Sequence, residues 1–181
     1  MKVLHLTKKD FKTSLWSGGS TTELFILPVG ANYATREFSL RISSAKVDLQ
    51  ESDFTTLNNV VRYITPLTGG FTLSHPNSEP IVMKPLSTPY RFSGDIPTHC
   101  VGQATDFNLM LKGVDGKMEI CDDTWQLQVG FNCLYAVCDT TINLDKEYNL
   151  KTGELLVVFN DDKDILTAKI NAKAIVCFAK I

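Results

Sequence analysis

The residues best suited to recognise a ligand are polar side chains that alternate with apolar ones along two β-type segments. Arg41 and Ser43 alternate with apolar residues in one segment, and Asp106 and Asn108 do so in the other. Because successive side chains of a strand point to opposite faces, each pair shares a face. The planar guanidinium of arginine suits a carboxylate, and hydroxyl and amide groups suit the rest of a small polar acid. These residue types favour a pocket for a small anionic molecule.

A third polar stretch, Trp16-Ser17-Gly18-Gly19-Ser20-Thr21-Thr22-Glu23, precedes an apolar strand. Its glycines permit close approach of the backbone, and Thr21 and Glu23, two residues apart, share one strand face. Arg62 is a candidate second cation, and Trp16 is a candidate aromatic wall. We predict that the ligand-binding residues are Arg41, Thr21, Glu23, Asp106, Asn108, Arg62, Trp16 and Ser43.

The pocket interpretation competes with a structural one. In that alternative, Arg41 pairs with Glu23 or Asp106 as an internal ion pair that braces a β-barrel, because buried charges are usually paired. Phe107 alternates with the apolar face of its segment, so we assign it to the core. Gly94 and Asp95 are most simply a turn beside a strand.

The sequence does not carry the residue patterns of the common catalytic sites. His5, His75 and His99 are isolated, and no His-x-His pair is present, so we expect neither a metal site nor a cofactor. We interpret His75 and His99 as exposed loop residues. A Gly-x-Ser-x-Gly elbow is absent, and no Lys-Ser/Thr pair follows Gly18-Gly19 as a phosphate loop requires.

Composition excludes several classes of partner. The chain has 181 residues, of which 44% are hydrophobic and 21% charged, with a net charge of -2. Its basic residues are scattered, which argues against nucleic acid as a partner. No window approaches a membrane span or a signal peptide, so we expect no membrane contact and a cytoplasmic location. The five cysteines, an odd number without a Cys-x-x-Cys pair, are interpreted as reduced and mostly in the core.

Short β-type runs separated by turn signals recur along the chain, so the sequence predicts an all-β fold. We predict strands from Thr22 to Leu27 and from Val60 to Thr65, with Pro66 ending the latter. Residues 10–15 are predicted as a short helix or turn, and residues 51–59 as a polar connection that ends in the turn-compatible pair Asn58-Asn59.

Taken together, the segments resemble the HutD/Ves family of cupin-like proteins. Two departures occur: Asn58-Asn59 stands where the family usually has Pro-Gly, and Leu40 stands where an aromatic often precedes the strand arginine. Neither departure falls on a polar residue of the predicted site. The resemblance covers residues 1 to about 112 and continues beyond only in strand pattern. It is carried by the glycine-hydroxyl stretch, Phe38-Ser39-Leu40-Arg41-Ile42-Ser43-Ser44-Ala45, Phe54-Thr55-Thr56-Leu57 with Arg62, Phe92-Ser93-Gly94-Asp95, and above all Asp106-Phe107-Asn108-Leu109-Met110.

The resemblance implies a cupin-like double-stranded β-helix, or jelly roll, built from two fused β-barrel halves in a bicupin-like arrangement. We expect residues 1–112 to form the first half, with the pocket, and residues 113–181 the second, in one compact unit. The family is linked with histidine utilisation and stress response. Exposed sheet edges favour a homodimer.

Three functions therefore remain open. The first is a sensor or regulator that binds a small anionic metabolite similar to urocanate or formylglutamate. The second is a cupin-type enzyme, either metal-dependent or a metal-free isomerase or hydrolase that uses Glu23 or Asp106 as a base. The third is a structural or protein-binding role, in which side chains would fill the interior of the first half.

Overall fold

The computed structural model describes residues 1–161 and 164–181, and it is almost entirely β-sheet, as predicted. One turn of 3₁₀ helix covers Tyr33–Thr35. No helix in these two ranges is long and apolar enough to cross a membrane. The strands are β1 (Lys2–Leu6), β2 (Lys12–Trp16), β3 (Gly19–Leu27), β4 (Leu40–Val47), β5 (Glu51–Asp53), β6 (Val60–Gly69), β7 (Phe71–Ser74), β8 (Ile81–Met83), β9 (Tyr90–Ser93), β10 (His99–Val101), β11 (Ala104–Lys112), β12 (Gly116–Cys121), β13 (Thr124–Leu127), β14 (Gly130–Ala136), β15 (Thr140–Asn143), β16 (Glu147–Leu150), β17 (Leu155–Asn160), β18 (Leu166–Ile170) and β19 (Ala174–Ala179).

Contacts divide the chain into two units. The N-terminal unit comprises Lys12–Gly113, and the C-terminal unit comprises Met1–Phe11 with Val114–Ile181. The N-terminal unit has a six-stranded sheet, ordered β2-β3-β4-β11-β6-β9, and a four-stranded sheet, ordered β5-β10-β7-β8. The C-terminal unit has sheets ordered β1-β17-β14-β19-β12 and β13-β18-β15-β16. Strand β1, which the sequence analysis counted with residues 1–112, pairs antiparallel with β17 and lies in the C-terminal unit.

Three local expectations were wrong. Residues 12–16 form strand β2, because they pair antiparallel with β3, rather than a helix or turn. The connection of residues 51–59 contains strand β5, which pairs with β10. Strand β6 continues through Pro66, which pairs with Asp106 at a bulge. A bulge tolerates proline because the ladder hydrogen bonds are already interrupted there.

The predicted alternation of β4 and β11 is present, with one difference in burial. Leu40, Ile42, Phe107 and Leu109 are fully buried on one face of the sheet. The opposite face, expected to be polar, is polar but also buried, because it forms the interior of the N-terminal unit. Asn59 adopts the left-handed conformation, with φ of 59°, which explains how it can replace a glycine in this turn.

The interior of the C-terminal unit is apolar. Its buried cluster contains Leu134, Ile142, Leu156, Val158 and eight further apolar residues. The cysteine interpretation holds for the three buried thiols, and Cys138 is exposed instead. The buried thiols are Cys100, Cys133 and Cys177.

Candidate functional site

A cavity of about 330 Å³ lies inside the N-terminal unit. Polar side chains from the central strands of the six-stranded sheet form much of its wall, and aromatic and hydroxyl side chains complete it. The lining residues are Ser14, Trp16, Thr21, Tyr33, Arg41, Ser43, Ala45, Val47, Ser52, Asp53, Phe54, Thr55, Arg62, Asp106, Asn108 and Met110.

Strand register brings the polar side chains of three strands together. In β4 and β11, Ser43 lies opposite Asn108, and Arg41 lies opposite Met110. Arg62 of β6 lies opposite Met110 on its other side. Since directly opposite residues share a face, the two-residue periodicity of three neighbouring strands converges on one cavity wall.

Arg41 is both a wall of the cavity and part of an ion pair. Its Nε donates to Glu23 Oε2 at 2.8 Å, and its Nη1 donates to Ser43 Oγ at 3.1 Å. The guanidinium carbon lies 4.0 Å from the centre of the Tyr33 ring. The pocket and ion-pair interpretations of Arg41 are therefore compatible. Arg41 lines the cavity and pairs with Glu23, which is not among the lining residues.

Arg62 is the less satisfied of the two cations. Its Nη2 lies 3.4 Å from Asn108 Oδ1, and its buried Nε has no hydrogen-bond partner in the part of the chain that the structure describes. The guanidinium carbon lies 4.7 Å from the centre of the Phe54 ring and 5.2 Å from that of Phe92. Burial lowers the pKa of Arg62, while the charges of Tyr33 and Asp106 oppose that shift. A guanidinium enclosed by aromatic rings with an unused N–H is suited to an anion.

Asp106 lies in the same wall and is 3% exposed. Its Oδ1 accepts the backbone N–H of Ala45 at 3.3 Å and a hydrogen bond from Asn108 Nδ2. Burial raises the pKa of Asp106 to about 7, although the Ala45 N–H, the charge of Arg62 and the Asn108 amide act in the opposite direction. Burial dominates because removing a carboxylate from water disfavours its charged form.

The glycine-hydroxyl stretch forms another part of the wall, through Trp16 and Thr21. A Cβ on Gly18 would lie 2.1 Å from the Trp16 ring and 2.6 Å from the Leu49 side chain, so these exposed side chains would have to move. Gly19 has a φ of +150°, and a Cβ there would lie 1.9 Å from the carbonyl oxygen of Lys46. Gly19 is thus required for the close approach of two backbones, as the sequence predicts.

The histidines do not form a metal site with neighbouring acids. Among residues 1–161 and 164–181, no group of three or more His, Cys, Asp or Glu side chains is arranged to hold a metal ion. His75 lies in a loop, as interpreted, but it is half-buried rather than exposed: its ring stacks on Tyr90 with centroids 5.7 Å apart, and its Nδ1 lies 3.1 Å from Thr98 Oγ1. The interpretation of His99 as a loop residue was wrong, because His99 begins strand β10; its side chain is exposed and pairs with Asp53 at 2.8 Å.

Gly94 and Asp95 form a turn. The Asp95 carboxylate accepts the backbone N–H of Asn59 at 3.3 Å and the Ser93 hydroxyl at 2.9 Å. Neither Gly94 nor Asp95 lines the cavity.

The structure brings together seven of the eight residues predicted for the site, with Glu23 behind Arg41. Sequence reasoning missed Tyr33, Phe54 and the Ser52–Asp53 pair. Tyr33 follows a loop, and residues 52–55 lie in a segment interpreted as a connection, so no periodicity marked either region. The sequence contains many aromatic residues, and only the fold shows that the Tyr33 ring lies against Arg41 and the Phe54 ring against Arg62.

The donor set of the cavity does not suit a divalent metal. Two guanidiniums lie in the wall, its carboxylates are those of Asp53 and Asp106, and no imidazole is among the lining residues. Divalent metals in cupin-type sites require several convergent imidazole or carboxylate ligands, and a nearby cation opposes their binding.

Comparisons with known proteins agree with this architecture. The HutD family profile matches residues 8–178. HutD from Pseudomonas fluorescens SBW25, in a formate condition, is similar with a TM-score of 0.84 and 21% identity, covering 99% of this chain and 98% of that one. A conserved protein of unknown function from Pseudomonas aeruginosa PAO1 is similar with a TM-score of 0.84 and 22% identity over 99% and 98% of the two chains.

A more distant structural neighbour is bacterial pirin from Escherichia coli in complex with nickel(II), with a TM-score of 0.63 and 10% identity over 98% of each chain. No curated protein matches the sequence significantly. The structural likenesses establish the cupin jelly-roll fold. Because the family match extends over residues 8–178 of a 181-residue chain, the protein belongs to the HutD family.

Proposed function

We propose that the N-terminal unit binds a small carboxylate-bearing metabolite in its cavity and that the protein acts as a sensor or regulator. The observation that carries this proposal is Arg62, a buried guanidinium in the cavity wall with an Nε that has no partner within the described chain. A buried polar group without a partner is costly, and a ligand carboxylate would relieve that cost.

The rest of the wall supports a small organic anion over an inorganic one. Trp16, Tyr33 and Phe54 provide apolar surface beside the polar groups. Ligand sites commonly combine mostly apolar walls with a few convergent polar groups, and a volume of about 330 Å³ is at the small end of their range. A flat or short-chain acid such as urocanate or formylglutamate has this combination of an apolar body and carboxylate ends.

The regulatory part of the proposal rests on family membership. The HutD family is linked with histidine utilisation, and a protein that binds an intermediate of that process would report its concentration. Such a role requires a binding site and a response, and it does not require a catalytic set.

Thermal-shift titration tests the binding step. We would titrate urocanate, formylglutamate and the matched pair propionate and propionamide, which differ in charge and hardly in size. Saturation at 100 times the dissociation constant stabilises by about 2.7 kcal/mol, which is a visible shift. We expect stabilisation by acids and none by propionamide.

Two variants provide the control for this titration. Arg62→Gln removes the cavity arginine that has no carboxylate partner among the described residues, whereas Arg91→Gln removes an exposed arginine from the neighbouring strand β9. We expect Arg62→Gln to lose the ligand-induced shift and Arg91→Gln to keep it. Equal responses of the two variants, or no stabilisation by any acid, would overturn the proposal.

The second candidate function is a metal-free enzyme, and Asp106 is the observation that favours it. A carboxyl with a pKa of about 7 in a cavity can exchange protons near neutral pH, which is what a general acid or base requires. Proton NMR of each stabilising acid after incubation with the protein tests this candidate. An unchanged spectrum for every acid that binds would exclude it for those acids.

A homodimer stays part of the proposal. All five residues of the edge strand β2 are exposed, and an exposed edge is commonly covered by another chain. Light scattering of the purified protein gives the mass, and a monomeric mass would contradict this expectation.

A further inference from the structure

We propose that the cavity takes up its anion together with one proton on Asp106, and that the ligand is a carboxylate with a hydrogen-bond acceptor beside it. This inference rests on the proposed function and specifies the ligand class and pH response of the same site. Two buried opposite charges that do not pair directly, Arg62 and Asp106, are its basis.

Arg62 and Asp106 lie on the adjacent strands β6 and β11, and both line the cavity. Among the described residues, neither forms an ion pair within 4.0 Å. Asn108 connects them instead: its Oδ1 accepts from Arg62 Nη2, and its Nδ2 donates to Asp106 Oδ1. Because a guanidinium can only donate, the orientation of the Asn108 amide is fixed by Arg62.

An anion bound to Arg62 changes the electrostatics of Asp106. Without a ligand, the positive charge of Arg62 favours the carboxylate form of Asp106. A ligand carboxylate neutralises that positive charge and places a negative charge nearby, in a medium of low effective dielectric constant. A proton on Asp106 offsets the negative charge that the ligand brings into the cavity. The pKa of Asp106 therefore rises from about 7 when the anion binds.

The other charged and titratable groups around Asp106 do not replace it as the proton acceptor. Arg41 and Glu23, from β4 and β3, neutralise one another in an ion pair. Asp53, from β5, and its partner His99 have exposed side chains, at 84% and 42%, so water screens both from the bound anion. Burial, together with the charge of Asp106, raises the pKa of Cys100 on β10 to about 12, so this thiol stays neutral. Tyr33 contacts both Arg41 and Arg36 through its ring.

The position of the proton defines the ligand class. Oδ1 of Asp106 already accepts hydrogen bonds from Ala45 and Asn108, so the added proton belongs on Oδ2. Protonated Asp106 then acts as a hydrogen-bond donor. A ligand that presents a carbonyl or amide oxygen beside its carboxylate satisfies this donor, whereas a simple alkyl acid leaves it unpaired.

Pyruvate and propionate are a matched pair of probes, since they differ by one carbonyl oxygen. We would measure their dissociation constants from pH 6 to 8.5 by titration calorimetry at constant ionic strength. Given a pKa of about 7 in the free protein, wild-type affinity for pyruvate is expected to fall about 30-fold from pH 6 to pH 8.5. Titrations at pH 8 in triethanolamine and in Tris, cationic buffers whose ionisation enthalpies differ, should give close to one proton taken up per pyruvate.

Asp106→Asn is the informative variant, because its side-chain oxygen can replace Oδ1 while its NH₂ group donates as protonated Asp106 does. We expect this variant to bind pyruvate at pH 8.5 as tightly as the wild type does at pH 6, with no pH dependence. Asp48→Asn removes an exposed carboxylate of the same unit and should keep the wild-type pH profile. Pyruvate should bind about tenfold more tightly than propionate at pH 6.

The outcomes separate this inference from the proposed function. Pyruvate binding to the wild type with no pH dependence and no proton uptake overturns the inference and leaves the binding function standing. Equal affinity for pyruvate and propionate at pH 6 overturns the assigned ligand class. No binding of either acid at any pH overturns both. The wild-type measurements decide these points even if Asp106→Asn does not fold.

Discussion

The two units have the same architecture, a pair of antiparallel sheets, and differ in what lies between those sheets. The interior of the C-terminal unit is a cluster of twelve apolar residues. Three charged side chains are buried in the N-terminal unit, and the described part of the C-terminal unit buries none. These three are Arg41, Arg62 and Asp106.

The buried polar groups also have different partners in the two units. In the C-terminal unit, Asn132 bonds to the backbone of Gln128, and Thr140 bonds to the Cys138 carbonyl. These contacts close turns. In the N-terminal unit, Arg62, Asn108 and Asp106 bond to one another along the cavity wall. The fold therefore does not require a polar interior, and buried charges such as these often stabilise a protein less than apolar packing does, which is consistent with the proposed binding role.

Placing the same polar residue in both interiors gives the largest expected contrast. Leu134→Gln buries an amide in the apolar cluster, and Met110→Gln places it in the cavity wall between the two arginines. We expect Leu134→Gln to lower the free energy of unfolding by about 3 to 5 kcal/mol, since it loses apolar burial and leaves the amide unpaired. Met110→Gln should cost less than Leu134→Gln, because Arg41 and Arg62 flank the site and can pair with the amide oxygen, although Met110 also packs against Ile26 and Leu57.

Urea denaturation of the two variants measures this contrast. Leu134→Met, which keeps the volume and adds no polar atom, is the control for repacking. A loss for Met110→Gln as large as that for Leu134→Gln would mean that the cavity is as intolerant of polar groups as the apolar cluster.

The second contrast is the pH dependence of the free energy of unfolding, and it arises from Asp106. Below pH 3.8, the ordinary value for Asp, both the folded and the unfolded states hold the proton. Between there and about pH 7 only the folded state holds it, so the contribution of Asp106 to stability falls as pH rises and then stays constant. The slope is at most about 1.4 kcal/mol per pH unit.

The wild type and Asp106→Asn should therefore diverge in unfolding free energy between pH 4 and pH 7, with the variant gaining relative to the wild type as pH rises. Asp122→Asn removes an exposed carboxylate from the C-terminal unit and should follow the wild type. Parallel curves for the wild type and Asp106→Asn would show that Asp106 ionises as it does in water.

Of the difference between the two interiors, only what depends on local periodicity could be predicted from the sequence. The alternation around Arg41 and Asp106 identified the polar face and the fully buried Phe107, because a strand encodes its two faces within a few residues. Family resemblance supplied the jelly roll. The pairing of β1 with β17 depends on contacts across the whole chain, which no local pattern carries.

The division of roles between the two arginines could not be predicted for the same reason. Whether Arg41 or Arg62 has a carboxylate partner depends on the register of β3 against β4, which contains a bulge between Glu23 and Phe25. Strand β2 was missed because its edge position leaves no hydrophobic alternation. The unpaired Nε of Arg62, on which the proposed function depends, is thus a property of tertiary packing.

Making the N-terminal interior resemble the C-terminal one separates stability from binding. The triple variant Arg62→Met, Asp106→Leu and Asn108→Leu replaces a connected polar set with apolar side chains of similar size. We expect its free energy of unfolding to be unchanged or up to about 4 kcal/mol higher, since buried charges are often less stabilising than apolar packing. Thermal-shift titration should show no response to acids. A large loss of stability would indicate that the polar set is structural.

Cysteine reactivity provides the smallest and most local contrast, because each unit has a buried thiol that reports on its own opening. Cys100 lies in an apolar cluster of the N-terminal unit with Phe92, whose ring lies near Arg62, and Cys177 lies in β19 of the C-terminal unit. Exposed Cys138 should be modified first by an aromatic disulfide reagent at pH 8.

A ligand that binds only the folded N-terminal unit lowers the population of its open state by the factor 1 + [L]/Kd. Pyruvate at three times its dissociation constant should therefore slow modification of Cys100 about fourfold and leave Cys177 unchanged. Mass spectrometry of quenched samples follows each site separately. Equal slowing of Cys100 and Cys177 would contradict independent opening, and unchanged reactivity of Cys100 would place the ligand outside the N-terminal interior.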